Sequence, residues 1–198
     1  MQSKGVGLTG NKKEIFNSNS ERLAKLSTTF SDNVLDATNS WKLLLTKKTE
    51  ISGIPRRNLQ LMAKAAKEDS NLSSKENYKC TTDDGPWLLT LDIPSYIAFI
   101  TYSENRDLRE KVYKAYVSRA TKGTKSNENL IEEILELRSN QSKLLGYKNW
   151  AELSLANKMA KDIDEVEKLL EELRLAAMPT ANLEIIKLKE LALKEGNI

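Results

Sequence analysis

Residues 22–45 read RLAKLSTTFSDNVLDATNSWKLLL, and this stretch is the clearest indication of the fold class. Its apolar side chains follow one another at spacings of three or four residues, the period that places them on one face of a helix. The members of this stripe are Leu23, Leu26, Phe30, Val34, Ala37, Trp41 and Leu44. The pattern predicts one helix from about Asn11 to about Leu45, roughly 50 Å long at about 1.5 Å per residue.

The segment after this helix contains the strongest turn signals. Pro55 is placed to open a shorter helix, because proline fits the first helical turn. Residues 69–84 are polar and lack periodicity, so they are predicted to form a loop. Asp84-Gly85-Pro86 predicts a turn, and the apolar run 87–91 after it predicts a short strand or hairpin.

The remainder of the chain is predicted to be helical. Helices are expected near 94–102, 105–120, 127–145, 149–158, 162–178 and 180–191. Asn105 and Asp162 are placed to cap helices at their N-termini, and Gly146 is placed to end one. Pro179 is expected to break the chain between the last two helices. The expected fold class is therefore all-α, with room for one short strand or hairpin near 87–91.

The helix that follows Asp162 is strongly amphipathic. Its apolar positions again recur at helical spacing and are expected to face the interior. They are Ile163, Val166, Leu169, Leu170 and Leu173. No repeat, coiled-coil heptad or low-complexity tract divides the chain, so residues 1–198 are treated as one helical region.

Composition excludes several classes of function. The chain contains no histidine, which rules out Ser-His-Asp and Cys-His catalytic pairs and histidine-based metal sites. The net charge is +3 with both signs interspersed, so no nucleic-acid partner is expected. No run approaches the ~18 apolar residues of a membrane span, and residues 1–8 do not resemble a signal peptide. The expected location is the cytoplasm, with no membrane partner.

Three sets of residues are candidates for chemistry. Cys80, the single cysteine, lies in a polar stretch and could be an exposed thiol, but no imidazole is present to activate it. A stack of glutamates four residues apart could bind a hard cation, although such stripes usually face solvent. Tyrosines could line a peptide-binding surface or be half-buried packing residues, and packing is favoured. These residues are Glu128, Glu132 and Glu136, and Tyr96, Tyr102, Tyr113, Tyr116 and Tyr147. No catalytic, metal-binding or cofactor-binding residue is assigned.

Nine further features of the sequence are short segments at 22–31, 33–38, 84–96, 101–103, 105–116, 118–120, 134–138, 144–147 and 154–160 without residue 157. The longest of these, residues 84–96, reads DGPWLLTLDIPSY. Taken together and in order, these segments resemble the thimet oligopeptidase family of zinc metallopeptidases, in its oligopeptidase A branch. The resemblance extends from about Gly5 to Ala160.

The resemblance implies an almost wholly helical, two-lobed cytosolic enzyme that cleaves short peptides inside a deep channel. In that family a His-Glu-x-x-His helix and a downstream glutamate hold zinc, and the motif glutamate is the general base. The motif would lie beyond Ile198, so no catalytic or zinc-binding residue is carried onto this chain, and no cofactor is expected in it. Both ends of the chain look cut relative to the family.

Two hypotheses of different class follow. The first is a non-catalytic portion of a zinc oligopeptidase that forms part of the wall of the substrate channel. Its partners would be short peptides in the complete enzyme and, if the gene is split, a separately encoded catalytic half. The alternative is a stand-alone helical interaction module derived from that family. Helices cut from a larger fold leave apolar faces uncovered, so the chain alone is expected to be marginally stable.

Overall fold

The computed structural model describes residues 5–73 and 79–196. The chain is mostly helical, as predicted. The elements in order are α1 (Gly10–Ser40), β1 (Lys42–Leu45), α2 (Arg56–Glu68), α3 (Ser70–Ser73), β2 (Trp87–Thr90), α4 (Ile93–Tyr102), α5 (Arg106–Val117), α6 (Glu128–Leu144), α7 (Trp150–Leu155) and α8 (Ile163–Lys194). Short 3₁₀ turns lie at Lys48–Glu50 and Gly123–Lys125. Among the described residues, no helix is both long enough and apolar enough to cross a membrane.

The chain divides into two compact units. One comprises residues 1–21 and 135–198, and the other comprises residues 22–134. The second unit contains the main apolar core, built around an antiparallel pair in which Lys42 lies opposite Thr90 and Leu45 opposite Trp87. The core side chains are Leu45, Ile54, Met62, Ala63, Trp87, Leu89, Leu91, Tyr96, Phe99 and Val112. The strand expected near 87–91 is therefore present and central to this unit.

The first helix is shorter than predicted. It ends at Ser40, and residues 42–45 form a strand instead of its last turn. A short apolar run such as Leu43-Leu44-Leu45 fits a helix and a strand equally well. Its pairing with Trp87–Thr90 makes it a strand. Local periodicity cannot predict this pairing, because the partner strand lies more than forty residues away in the sequence.

Most helix ends lie where the sequence placed them. The Asn105 side chain accepts a hydrogen bond from the Leu108 amide at 3.0 Å, which is an N-cap. Asp162 caps α8 through the Glu165 amide at 2.9 Å. Gly146 follows α6 with a φ of +84°, a conformation that favours glycine. The helix expected to reach Ala120 stops at Val117, and Ala120 has a φ of +53°.

The stretch 69–84 is not uniformly irregular where it is described. Ser70–Ser73 form one helical turn, and Thr81 and Gly85 form an antiparallel bridge around the turn that precedes β2. Residues 74–78 lie outside the described residues. Asp69, the first residue of this stretch, is buried and forms an ion pair with Lys42, with 2.5 Å between Asp69 Oδ2 and Lys42 Nζ.

The last helix departs from both predictions made for it. It runs without a break through Pro179, so the expected interruption is wrong. Proline's φ suits a helix, and the loss is one backbone hydrogen bond plus crowding against the carbonyl one turn earlier. The prediction of an inward face is also wrong for Leu169, Leu170 and Leu173, which are more than half exposed. Nothing in the described part of the chain covers that face.

Candidate functional site

Cys80 is not placed to act as a nucleophile. Its sulfur lies 3.0 Å from the carbonyl oxygens of both Ala63 and Pro86, and the side chain is half-buried rather than exposed. Burial raises the pKa of the thiol, and the positive charge of Lys67 offsets this only in part. A thiol held protonated between two carbonyl acceptors is a packing residue.

The glutamate stack faces solvent. Glu128, Glu132 and Glu136 are all exposed on α6. Within residues 5–73 and 79–196, no group of three or more histidine, cysteine, aspartate or glutamate side chains could hold a metal ion. Those residues therefore bring together no donor set that fits zinc, and histidine, a common zinc ligand, does not occur in the sequence.

The neighbouring Glu133 has a structural role instead. Both of its carboxylate oxygens accept hydrogen bonds from the Arg22 guanidinium, at 2.5 and 2.6 Å. These bonds lower the pKa of Glu133 and raise the pKa of Arg22. The two-point contact joins α1 to α6, although the residues are 111 positions apart.

The tyrosines are divided between buried and exposed positions. Tyr96 and Tyr116 stack on each other with ring centroids 3.8 Å apart, and the Arg119 guanidinium carbon lies 3.6 Å from the centre of the Tyr116 ring. Burial is the main cause of a raised pKa at Tyr96. Tyr102 and Tyr113 are about half exposed. The buried Tyr96 and the partly buried Tyr116 fit the packing role favoured from the sequence.

Arg119 is held in place by three interactions. Besides its contact with the Tyr116 ring, its Nε donates to the Tyr116 carbonyl at 2.8 Å and its Nη1 donates to Thr38 Oγ1 at 3.0 Å. These bonds connect the end of α5 to α1. These contacts hold Arg119 in place, and its positive charge lies against the Tyr116 ring.

A groove of about 270 Å³ lies between α2, β2 and α4. We call it the α2–α4 groove. Its floor is apolar and includes the buried side chains of Met62, Leu88 and Phe99. Its edge carries polar groups, among them Asn58 and Ser95. A volume of this size accommodates one peptide side chain rather than a whole ligand.

Asp92 fixes the polar edge of this groove. One carboxylate oxygen accepts from the Ser95 amide at 3.2 Å, and the other accepts from the Thr90 hydroxyl. This cap sets the start of α4, which lies against α2. The groove could not be predicted from local sequence patterns, because its residues come from three elements. The only signal was indirect: residues 84–96, which supply one side of the groove, carry the longest family-like segment.

One family model and several individual relatives match this chain, and they indicate the same kind of protein. The model of peptidase family M3 matches residues 99–198. The chain is 46% identical over 192 residues to the probable cytosolic oligopeptidase A of Arabidopsis thaliana, covering 97% of this chain and 26% of that protein. It is 44% identical over 192 residues to the organellar, chloroplastic/mitochondrial oligopeptidase A of the same plant, covering 97% of this chain and 23% of that protein.

A bacterial relative gives a similar result. Oligopeptidase A of Escherichia coli strain K12 is 38% identical over 199 residues, covering 98% of this chain and 27% of that protein. The chain thus spans about a quarter of the length of the curated relatives it matches.

Proposed function

Because this chain belongs to peptidase family M3, we propose that it is a non-catalytic helical portion of a zinc-dependent oligopeptidase. The observation that supports this most directly is the alignment of 97% of the chain with oligopeptidase A, combined with a sequence that has no histidine. The zinc ligands and the general base would come from the three quarters of the family polypeptide outside the matched segment. The chain would then be inactive as a peptidase by itself.

The physical role we propose is to form part of the wall of a peptide channel. The α2–α4 groove supports this, because an apolar floor with a polar edge suits a peptide side chain whose backbone stays outside. Such a wall contributes by orienting a substrate and by excluding folded proteins, rather than by touching the reacting atoms. The cognate ligands would be short unfolded peptides.

The partner and the compartment are also proposals. A catalytic half, in the same polypeptide or encoded separately, would be the main protein partner. We place the protein in the cytosol. The name of the first plant relative supports that location, while the name of the second assigns that protein to organelles. Cell fractionation with an antibody to this chain would decide between the two.

A stand-alone interaction module remains the second candidate. The observation in its favour is the exposed apolar surface of α8, which a binding module could use directly. This function would require tight binding to a protein unrelated to a catalytic half. Peptide hydrolysis by a hybrid enzyme would favour the first proposal, because a module that had diverged toward another partner has no reason to retain that geometry.

In the hybrid, this chain replaces the segment of E. coli oligopeptidase A that aligns with it. We expect the hybrid to hydrolyse a quenched-fluorescent peptide, and a chelator to abolish the activity. The parent enzyme and the isolated chain serve as controls. A hybrid that is folded and monodisperse, but does not hydrolyse peptides at zinc saturation, would contradict the proposal.

A further inference from the structure

The apolar surface of α8 is the largest feature of the molecule that the proposed function leaves unexplained. The helix extends from Ile163 to Lys194 and contains no buried residue. Eleven of its large apolar side chains are 42–63% exposed, namely Leu169, Leu170, Leu173, Leu175, Met178, Leu183, Ile185, Ile186, Leu188, Leu191 and Leu193. Soluble monomers rarely leave a continuous apolar surface of this extent in contact with water.

The two halves of α8 differ in how their apolar side chains are arranged. In the first half, the stripe from Ile163 to Leu173 occupies one side. Charged residues occupy the other, including Asp164, Lys168 and Glu171. A helix of this kind is amphipathic and needs a partner on one side only.

The second half is apolar on opposite sides. Leu175, Ile186 and Leu193 are separated by 11 and 7 residues, so they fall along one side of the helix. Leu188 and Leu191 each lie two residues from a member of that row, which at about 100° per residue places them on the opposite side. A helix that is apolar on opposite sides is typical of one covered from both.

A shallow depression adjoins the start of α8. It has a volume of about 530 Å³, and its lining includes Val166, Leu169 and Leu170 together with Met159. Met159 lies in the turn before the helix and is fully exposed. An exposed methionine beside leucines forms an adaptable apolar contact surface, because its side chain is flexible and unbranched.

From these observations we propose that α8 is a docking element for the part of an M3 polypeptide that lies outside the matched quarter. That part would cover one side of the first half of α8 and both sides of the second half. The inference rests on the proposed function. Two facts favour this occupant: the family match continues through the whole of α8, and the relatives have about three times as much additional chain. A second copy of this chain is an outcome of the test below.

The test measures the accessibility of single thiols rather than activity. Ile186→Cys and, as a matched control, Asp164→Cys are made in a Cys80→Ser background, both in the isolated chain and in the hybrid with E. coli oligopeptidase A. We expect Cys-reactive dye to label both positions rapidly in the isolated chain. In the hybrid, labelling at 186 should slow by about tenfold or more, because it then requires local opening. Labelling at 164, which is exposed on the charged side of the helix, should change little.

Each alternative result has a distinct meaning. Equal labelling at 186 in the isolated chain and in a folded hybrid would overturn the docking proposal, even if that hybrid hydrolyses peptides. Protection at 186 in an inactive hybrid would support docking and count against the proposed function. Protection at 186 already in the isolated chain, with a dimer mass by light scattering, would assign the surface to a second copy and overturn the proposal.

A second hybrid guards against a failure of the first one to fold. It exchanges only residues 163–194 into E. coli oligopeptidase A, with the same two cysteine positions. Slow labelling at 186 and fast labelling at 164 support docking, whereas fast labelling at both positions overturns it.

Discussion

Tyr96 of α4 and Tyr116 of α5 stack almost parallel, with ring centroids 3.8 Å apart and an angle of 10° between the ring planes. The Arg119 guanidinium carbon lies 3.6 Å from the centre of the Tyr116 ring. Arg119 also donates to Thr38 of α1. The stack therefore lies at a point where α1, α4 and α5 are joined, within the unit that contains the α2–α4 groove.

Loss of the stacked ring should destabilise this unit. Tyr116→Leu removes the aromatic contact with Tyr96 and the cation–π contact with Arg119, and we expect a cost of about 1–2 kcal/mol. Tyr113→Leu is the control, because Tyr113 is on the same helix and 53% exposed. Urea unfolding followed by circular dichroism measures both. Equal midpoints for the two variants would show that the stack does not stabilise the fold.

The cap of α5 gives a second stability prediction. Asn105→Ala leaves the Leu108 amide without its 3.0 Å acceptor, and we expect a cost of about 1 kcal/mol. Asn140→Ala, at an exposed position within α6, should have an effect within about 0.5 kcal/mol of zero. Thermal unfolding of the two variants side by side checks the difference. A neutral result at Asn105 would mean that water or another group replaces the cap.

Several helix ends could be predicted from the sequence because the residues that form them act locally. A cap such as Asn105 or Asp162 acts on an amide three residues away, and Gly146 supplies a local backbone conformation. Such signals are complete within a few residues. The same is true of the helical stripe in α1, whose position was predicted correctly up to Ser40.

The predictions that were wrong or absent concern segments whose structure or surroundings depend on more than their local sequence. Residues 42–45 became a strand because of Trp87–Thr90. The apolar stripe of α8 was placed correctly on the helix, but periodicity identifies the side to be covered and not what covers it. The α2–α4 groove escaped prediction for a related reason, since α2, β2 and α4 meet only in the folded unit.

The half-buried thiol of Cys80 gives a prediction about pH. Burial raises the pKa of Cys80, so the folded protein holds less thiolate than the unfolded chain at the same pH. Iodoacetamide should react with Cys80 more slowly in buffer than in concentrated urea, and the folded-state rate should rise only at more alkaline pH.

The same shift affects stability. The buried neutral thiol favours folding below the pKa of an unfolded cysteine, and this contribution is lost as the pH rises through the folded-state pKa. Alkylation in buffer at neutral pH as fast as in urea would show that the thiol is neither buried nor held protonated.

The groove can be tested separately from the docking of α8. Ala65 lines the groove on α2, and Ala65→Phe in the hybrid enzyme fills part of its 270 Å³. If the groove binds a peptide side chain, KM should rise by roughly tenfold for substrates with a large residue there, with kcat unchanged. Ala24→Phe, at an exposed site on α1, is the control. A KM unaffected by Ala65→Phe would remove the groove from the substrate path.

Peptide turnover by the purified chain decides whether it is, as we propose, a non-catalytic portion of an M3 oligopeptidase. The chain is assayed with a quenched-fluorescent peptide, with and without added zinc, beside the hybrid enzyme at equal concentration. We expect no turnover by the chain and chelator-sensitive turnover by the hybrid. Chelator-sensitive hydrolysis by the chain alone would show that it is catalytic and overturn the proposal.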